Sequence, residues 1–211
     1  MKKFKLTSEF IVDISGVKLF RIKALIEFGN VKAGDLGGYI EKEENLSHMG
    51  DAWVSDDARI SGDAQVFGNA WVFGNARVSG NAQVFGDAWV SGDTQVFGDA
   101  RVFGNAWVSG NARVFGDAQV FGNARVSGDA QVFGDARVSG DKDYAYAHGF
   151  GSCNRTTTFF RLKDGDVGVR CGCFYGTLAQ FRDKVCETHG ETKKAQEYLM
   201  LADLMEIRFK N

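Results

Sequence analysis

Proline is absent from this 211-residue chain. Proline deletes a backbone donor from a hydrogen-bonded ladder, so its absence suits a backbone that is nearly all ladder. A strong charge of either sign is also missing. The formal net charge is −2, which gives neither the basic field that attracts nucleic acid nor the acidic field of a polyanion. No apolar run approaches the length of a membrane span. The opening MKKFKLTSEF has lysines with no apolar stretch after them, so a secretory signal is not expected. A cytoplasmic protein is expected. The four cysteines, Cys153, Cys171, Cys173 and Cys186, are then expected as reduced thiols. The only histidines are His48, His148 and His189.

What is abundant is glycine, with 27 residues, and a repeat. From Ala52 the chain reads A-x-V-[SF]-G-[DN] with little variation. The aliphatic position recurs every six residues from Val54 and Ile60 to Val138, fifteen hexads without an insertion. The small position two residues earlier is Ala throughout, except Thr94. In an extended segment the first and third residues share a face, so Ala and Val point inward and x outward. Gly with Asp or Asn tolerates positive φ and turns a corner. Three sides and three corners close a coil of eighteen residues, and the fifteen hexads give five coils, about 24 Å of prism at about 4.8 Å per coil. The fold expected is mainly β: a triangular solenoid over 51–141, an N-terminal β cap over 1–50, and a small α+β unit over 142–211.

Residues eighteen apart stack on one side. The outward position reads Trp53, Trp71, Trp89, Trp107, Arg125 on one side, Arg59, Arg77, Gln95, Arg113, Gln131 on the second, and Gln65, Gln83, Arg101, Gln119, Arg137 on the third. All four tryptophans fall in one column. The residue after the valine also sorts by side. Phe67, Phe85, Phe103 and Phe121 end in Ser139. Phe97, Phe115 and Phe133 follow Ser61 and Ser79. Ser55, Phe73, Ser91, Ser109 and Ser127 adjoin the tryptophans. The pattern leaves open whether the Phe columns face in or out. Aromatic ladders stabilise adjacent coils by themselves, and a contiguous exposed apolar patch also marks an interface. The Trp and Phe columns are therefore the candidate interface.

The hexads resemble those of left-handed β-helix hexapeptide-repeat proteins, with glycine one place later than is usual there; a right-handed solenoid is the structural alternative. The resemblance implies a left-handed helix and a homo-oligomer, with a trimer favoured. The segments RTTTFFRLKDG, CGCFYGTLAQFRDKV, ETHG and EYLMLADLME resemble a set of bacteriophage and gut-bacterial "polymer-forming" repeat proteins with no established activity. That likeness implies a phage- or prophage-encoded protein in the bacterial host cytosol.

In the flanks, KFKLT, FIVDI and VKLFRIKAL read as strands with a turn at Ser15–Gly16, and Gly34–Asp35 and Gly37–Gly38 read as turns. DYAYAHGFG is expected to finish the last coil. TTTFFRLK and VGVRCGCFY, joined at Asp164–Gly165, read as a hairpin. Thr177 is the expected N-cap of TLAQFRDKVCETH, with Gly190 ending it, and a second helix runs from about Thr192 to Phe209.

Catalytic groups are sparse. Many β-helix proteins are acyltransferases with a catalytic histidine, but no histidine lies within the hexads, and the triple-histidine zinc set of β-helical carbonic anhydrases is missing. Cys171 and Cys173 are two apart on a predicted strand and so face one way. With Cys153, Cys186 or a histidine they are the only zinc candidates, against the plainer reading as buried thiols. No catalytic residue, metal or cofactor is expected. The function expected is a non-catalytic scaffold that self-associates through an aromatic side. The alternatives are an inhibitor or ligand sponge acting on a host defence component, with a host protein or small ligand as partner, and an acyltransferase. Membrane and nucleic acid are not expected partners.

Overall fold

The computed structural model describes residues 2–151 and 155–210. Strands β1 (Phe4–Val12), β2 (Lys18–Ala24) and β3 (Leu36–Ile40) precede fifteen two-residue rungs, from Trp53–Val54 to Arg137–Val138. The rungs stack in parallel, each on the rung eighteen residues away, as in Trp71 on Trp89 and Val72 on Val90. They form three sheets, one per side of a triangular prism. Every hexad valine, together with Ile60, is fully buried, as is every hexad alanine and Thr94. The interior is a file of Ala and Val in which each coil repeats the packing of the last. Thr94 is tolerated because its hydroxyl donates to the Ser91 carbonyl at 2.6 Å.

The corners need glycine for two reasons. Gly86 has φ +70°, and a Cβ added to it would lie 2.9 Å from the nitrogen of Gly104 in the next coil. The one corner without glycine uses Asp56, at φ 55°, whose carboxylate accepts from the Gly74 N–H at 2.9 Å.

The ladder has a polarity that decides how its ends are closed. Along the prism the outward residue, the residue after the valine and most corner Asp or Asn residues donate to carbonyls in the following coil, as do Trp71 to Ala88, Phe73 to Val90 and Asn75 to Gly92. The first coil therefore presents carbonyls and the last presents N–H groups, and buried backbone groups must be paired. Donors close the first end. The Tyr39 N–H of β3 donates to Ala58, the Glu41 N–H just after it to Ile60, and the Ser47 N–H to Val66. The Asn45 amide donates to both Gly62 and Ala64, and the Lys3 ammonium to Gly50 and Ala52. Acceptors close the other end. The Asp141 carboxylate takes the Arg125 N–H, the Thr158 hydroxyl that of Gln131, and the Asp143 carboxylate that of Ser139.

The N-terminal flank extends the stack beyond Asp51. Ile40 pairs with Ile60 in parallel, and Leu46 bridges to Val66, so a sixth, partial course precedes the five regular coils. KFKLT and FIVDI are one strand with an irregularity between Leu6 and Phe10, not two. Gly37 and Gly38 are not a turn. They lie in β3, where an added Cβ would meet Ile22, Trp53 and the Val54 carbonyl at Gly37, and the Ala58 carbonyl at 2.6 Å at Gly38. Strand, rather than turn, is imposed there by close approach of the first coil.

At the other end, Tyr144–Phe150 does not finish a coil. As β4 it begins a four-stranded antiparallel sheet with β5 (Arg155–Arg161), β6 (Val167–Cys171) and β7 (Phe174–Thr177). VGVRCGCFY is thus two strands joined by a turn at Gly172–Cys173. Helix α1 (Leu178–His189) starts at the Thr177 capping box, and α2 (Lys193–Phe209) at Thr192. Both bury one face on the sheet in a core of their own, which includes Phe159, Val169, Phe181, Tyr198 and Met205. Phe160, on the opposite face of β5, joins the solenoid core. Phe4 and Ile22 do the same at the first end, so aromatic rings plug both openings.

Candidate interaction surface

The outward columns fall where the eighteen-residue spacing places them. Trp53, Trp71, Trp89, Trp107 and Arg125 are successive partners in one sheet. The ring centroids of Trp71 and Trp89 are 6.3 Å apart at 22°, and those of Trp89 and Trp107 are 5.7 Å apart at 55°. Phe73 meets Trp89 edge-on at 5.8 Å. Trp89 and Trp107 remain 44% and 41% exposed. Trp53 departs from the surface reading. It is buried, under Gly37 and edge-on to Phe28 at 5.4 Å. The cap covers the first indole and leaves the later ones open.

The Phe columns face outward, at the corners. Phe67, Phe85, Phe103 and Phe121 stack at 4.8, 4.9 and 5.2 Å with planes within 7°. Phe97, Phe115 and Phe133 stack at 4.8 and 4.4 Å. All seven rings are half-buried, chiefly by one another, so stacking accounts for these columns. The second column continues into the C-terminal unit, where Tyr175 meets Phe133 at 4.6 Å and Arg170 lies over the Phe133 ring. Burial pushes the Tyr175 phenol up from its ordinary pKa.

Serines replace Phe at several positions beside the two flanks. Ser61 and Ser79 line a cleft beneath the β1–β2 hairpin tip. Ser139 is bonded by Asp143, and Ser127 by the Tyr144 hydroxyl. The corners carry polar ladders in which an Asn amide donates to a carboxylate one coil on, as in Asn69 to Asp87, Asn75 to Asp93 and Asn81 to Asp99. In two of the three corner columns Asn separates the aspartates, which avoids stacking like charges, whereas the third stacks Asp99, Asp117 and Asp135 in succession.

Among the described residues the thiols form no metal-ligand cluster, although Cys171 and Cys173 line one pocket. Cys171 ends β6 and accepts from the Thr157 hydroxyl at 3.2 Å. Cys173 sits in the following turn, so the two do not share a strand face, and Cys186 is exposed on α1. Cys153 lies outside the described residues. The histidines are far apart in role. His48 stacks on Phe4, His148 bonds Thr156, and His189 stacks on Tyr198. Among the described residues there is no group of three or more His, Cys, Asp or Glu that could hold a metal ion. No described helix is long and apolar enough to cross a membrane.

A family model described as the YdcK beta solenoid repeat matches residues 64–80, 70–85, 76–92, 94–110 and 118–132. The chain is a β-solenoid repeat protein. Every match lies within the hexads, so the likeness of this solenoid to that repeat covers the prism and neither flank. No curated protein matches the chain.

Proposed function

We propose that this solenoid is a non-catalytic scaffold that associates laterally with copies of itself through its tryptophan side. The observation that carries the reading is the asymmetry of the prism. Two sides present only Arg and Gln at the outward position, and the third presents Trp71, Trp89 and Trp107. A closed prism has no need of such a difference, and contiguous exposed apolar surface usually marks an interface. The capped ends support lateral contact. Both ladder termini are occupied by the chain's own side chains and strands, which leaves end-to-end stacking without open partners.

The magnitude fits reversible assembly. The open area on each of Trp89 and Trp107 is about 100 Å², or roughly 2–3 kcal/mol per indole at about 25 cal/mol per Å². Two copies meeting face to face would gain about 10 kcal/mol, against an association cost of about 4–15 kcal/mol. Assembly then depends on concentration. A trimer is the favoured number, by the likeness to hexapeptide-repeat β-helices. The bacterial cytosol and a phage or prophage origin are supported by the resemblance of the C-terminal segments. Acrylamide quenching of tryptophan fluorescence tests the reading. Quenching should fall as protein concentration rises, whereas quenching independent of concentration speaks against a buried tryptophan side.

A further inference from the structure

Arg59 and Arg77 are stacked partners on the arginine side. In the three outward columns of the hexads this is the one place where arginine lies on arginine; every other hexad arginine has Gln or Trp as its hexad neighbours in the column. Like charges directly opposite in a sheet are destabilising. Among the described residues neither guanidinium has an ion-pair or hydrogen-bond partner. Arg21, two strands away in the same sheet, is by contrast engaged by Glu9 and Tyr39.

The unpaired arginines line a cleft of about 300 Å³ between the prism and the β1–β2 hairpin tip. Its other lining groups include the hydroxyl-bearing Ser61 and Ser79 and the apolar Leu19 and Phe97. The serines likewise make no side-chain hydrogen bond within the described residues. Asp13 lines the hairpin wall, but one oxygen of its carboxylate already accepts from the N–H groups of Ser15 and Val17. The cleft thus gathers two forked cationic donors, two hydroxyls and an apolar wall, and among the described residues no carboxylate pairs with either arginine.

We propose that this cleft binds a phosphoryl group carried on a small molecule. Two guanidiniums supply bidentate, charge-assisted donors to a tetrahedral dianion, and Ser61 and Ser79 complete its hydrogen bonds. Leu19 and Phe97 face the attached organic part. The bound dianion relieves the like-charge stack, which explains why arginine is kept on arginine only beneath the hairpin. The site lies on a different side from the tryptophans, so it stands or falls independently of self-association.

The test is calorimetric titration of the whole protein with inorganic phosphate and with phenyl phosphate. Arg59→Gln and Arg77→Gln are the informative variants, because Gln already occupies equivalent positions in this column and preserves the fold. Binding should weaken at least tenfold in each variant, with unfolding temperature unchanged or higher. Asp13→Asn should tighten binding by removing a nearby negative charge. Phenyl phosphate should bind more tightly than inorganic phosphate if the apolar wall is used. The proposal is overturned if the wild-type protein binds neither compound at millimolar concentration, or if both arginine variants bind as the wild type does.

Discussion

The Lys3 ammonium lies 2.7 Å from the carbonyl oxygen of Ala52 and 3.1 Å from that of Gly50. It closes the tryptophan side of the first coil, where no strand is available to do so. Lys3 is almost fully buried, with its cation 4.6 Å from the Phe28 ring centroid. Lys3→Met keeps the apolar stem and strands two carbonyls. The expected loss is about 1–3 kcal/mol at neutral pH, measured by urea unfolding.

The same residue makes stability depend on alkaline pH. Burial lowers the Lys3 pKa from 10.5 to about 8, partly offset by the Asp51 carboxylate. Between those values the folded chain has released a proton that the unfolded chain still holds. Stability attributable to Lys3 therefore rises with pH through that window and is flat below it. The difference in unfolding free energy between wild type and Lys3→Met should grow from pH 7.5 to pH 10. A constant difference would remove Lys3 from the explanation.

Gly38 is a tight joint between cap and prism. An alanine there would place Cβ 2.6 Å from the Ala58 carbonyl and 2.8 Å from Val54 Cγ1, so β3 must lift from the first coil. Gly38→Ala is expected to cost about 2 kcal/mol or more. Amide exchange should speed up at Tyr39 and Glu41 while the middle coils stay protected.

Thr94 separates packing from hydrogen bonding inside the prism. Thr94→Ala restores the residue found at every other small position, and its effect should stay within about 1 kcal/mol. Thr94→Val keeps the volume but sets a methyl against the Ser91 carbonyl that the hydroxyl now meets at 2.6 Å. It should destabilise by about 1–3 kcal/mol, and thermal melts of the two variants give the comparison.

The prism was legible because its inward residues repeat in every coil, so counting by eighteen places Trp71 on Trp89 and Phe67 on Phe85. Features set by contacts between distant segments were not. Trp53 looks like its column mates in sequence and is buried because Phe28 and Gly37 happen to fold over it. Gly37–Gly38 carries turn chemistry, yet the first coil holds it straight. Cys171 and Cys173 share a strand face only if the strand continues, and the Gly172 turn ends it. The capping of the ladder by Lys3, Asn45 and Asp141 follows from the polarity of its hydrogen bonds, which no residue pattern announces.

Solution mass by light scattering across a concentration series, on the wild type and on Trp89→Gln/Trp107→Gln, tests the scaffold reading most directly. Gln already occupies the outward position on the other two sides, so the variant prism should fold. The account predicts a wild-type mass above the 23.1 kDa of one chain that rises with concentration, and a variant that stays at the mass of one chain. A wild type that remains at one chain throughout, or a variant that assembles as the wild type does, would contradict it.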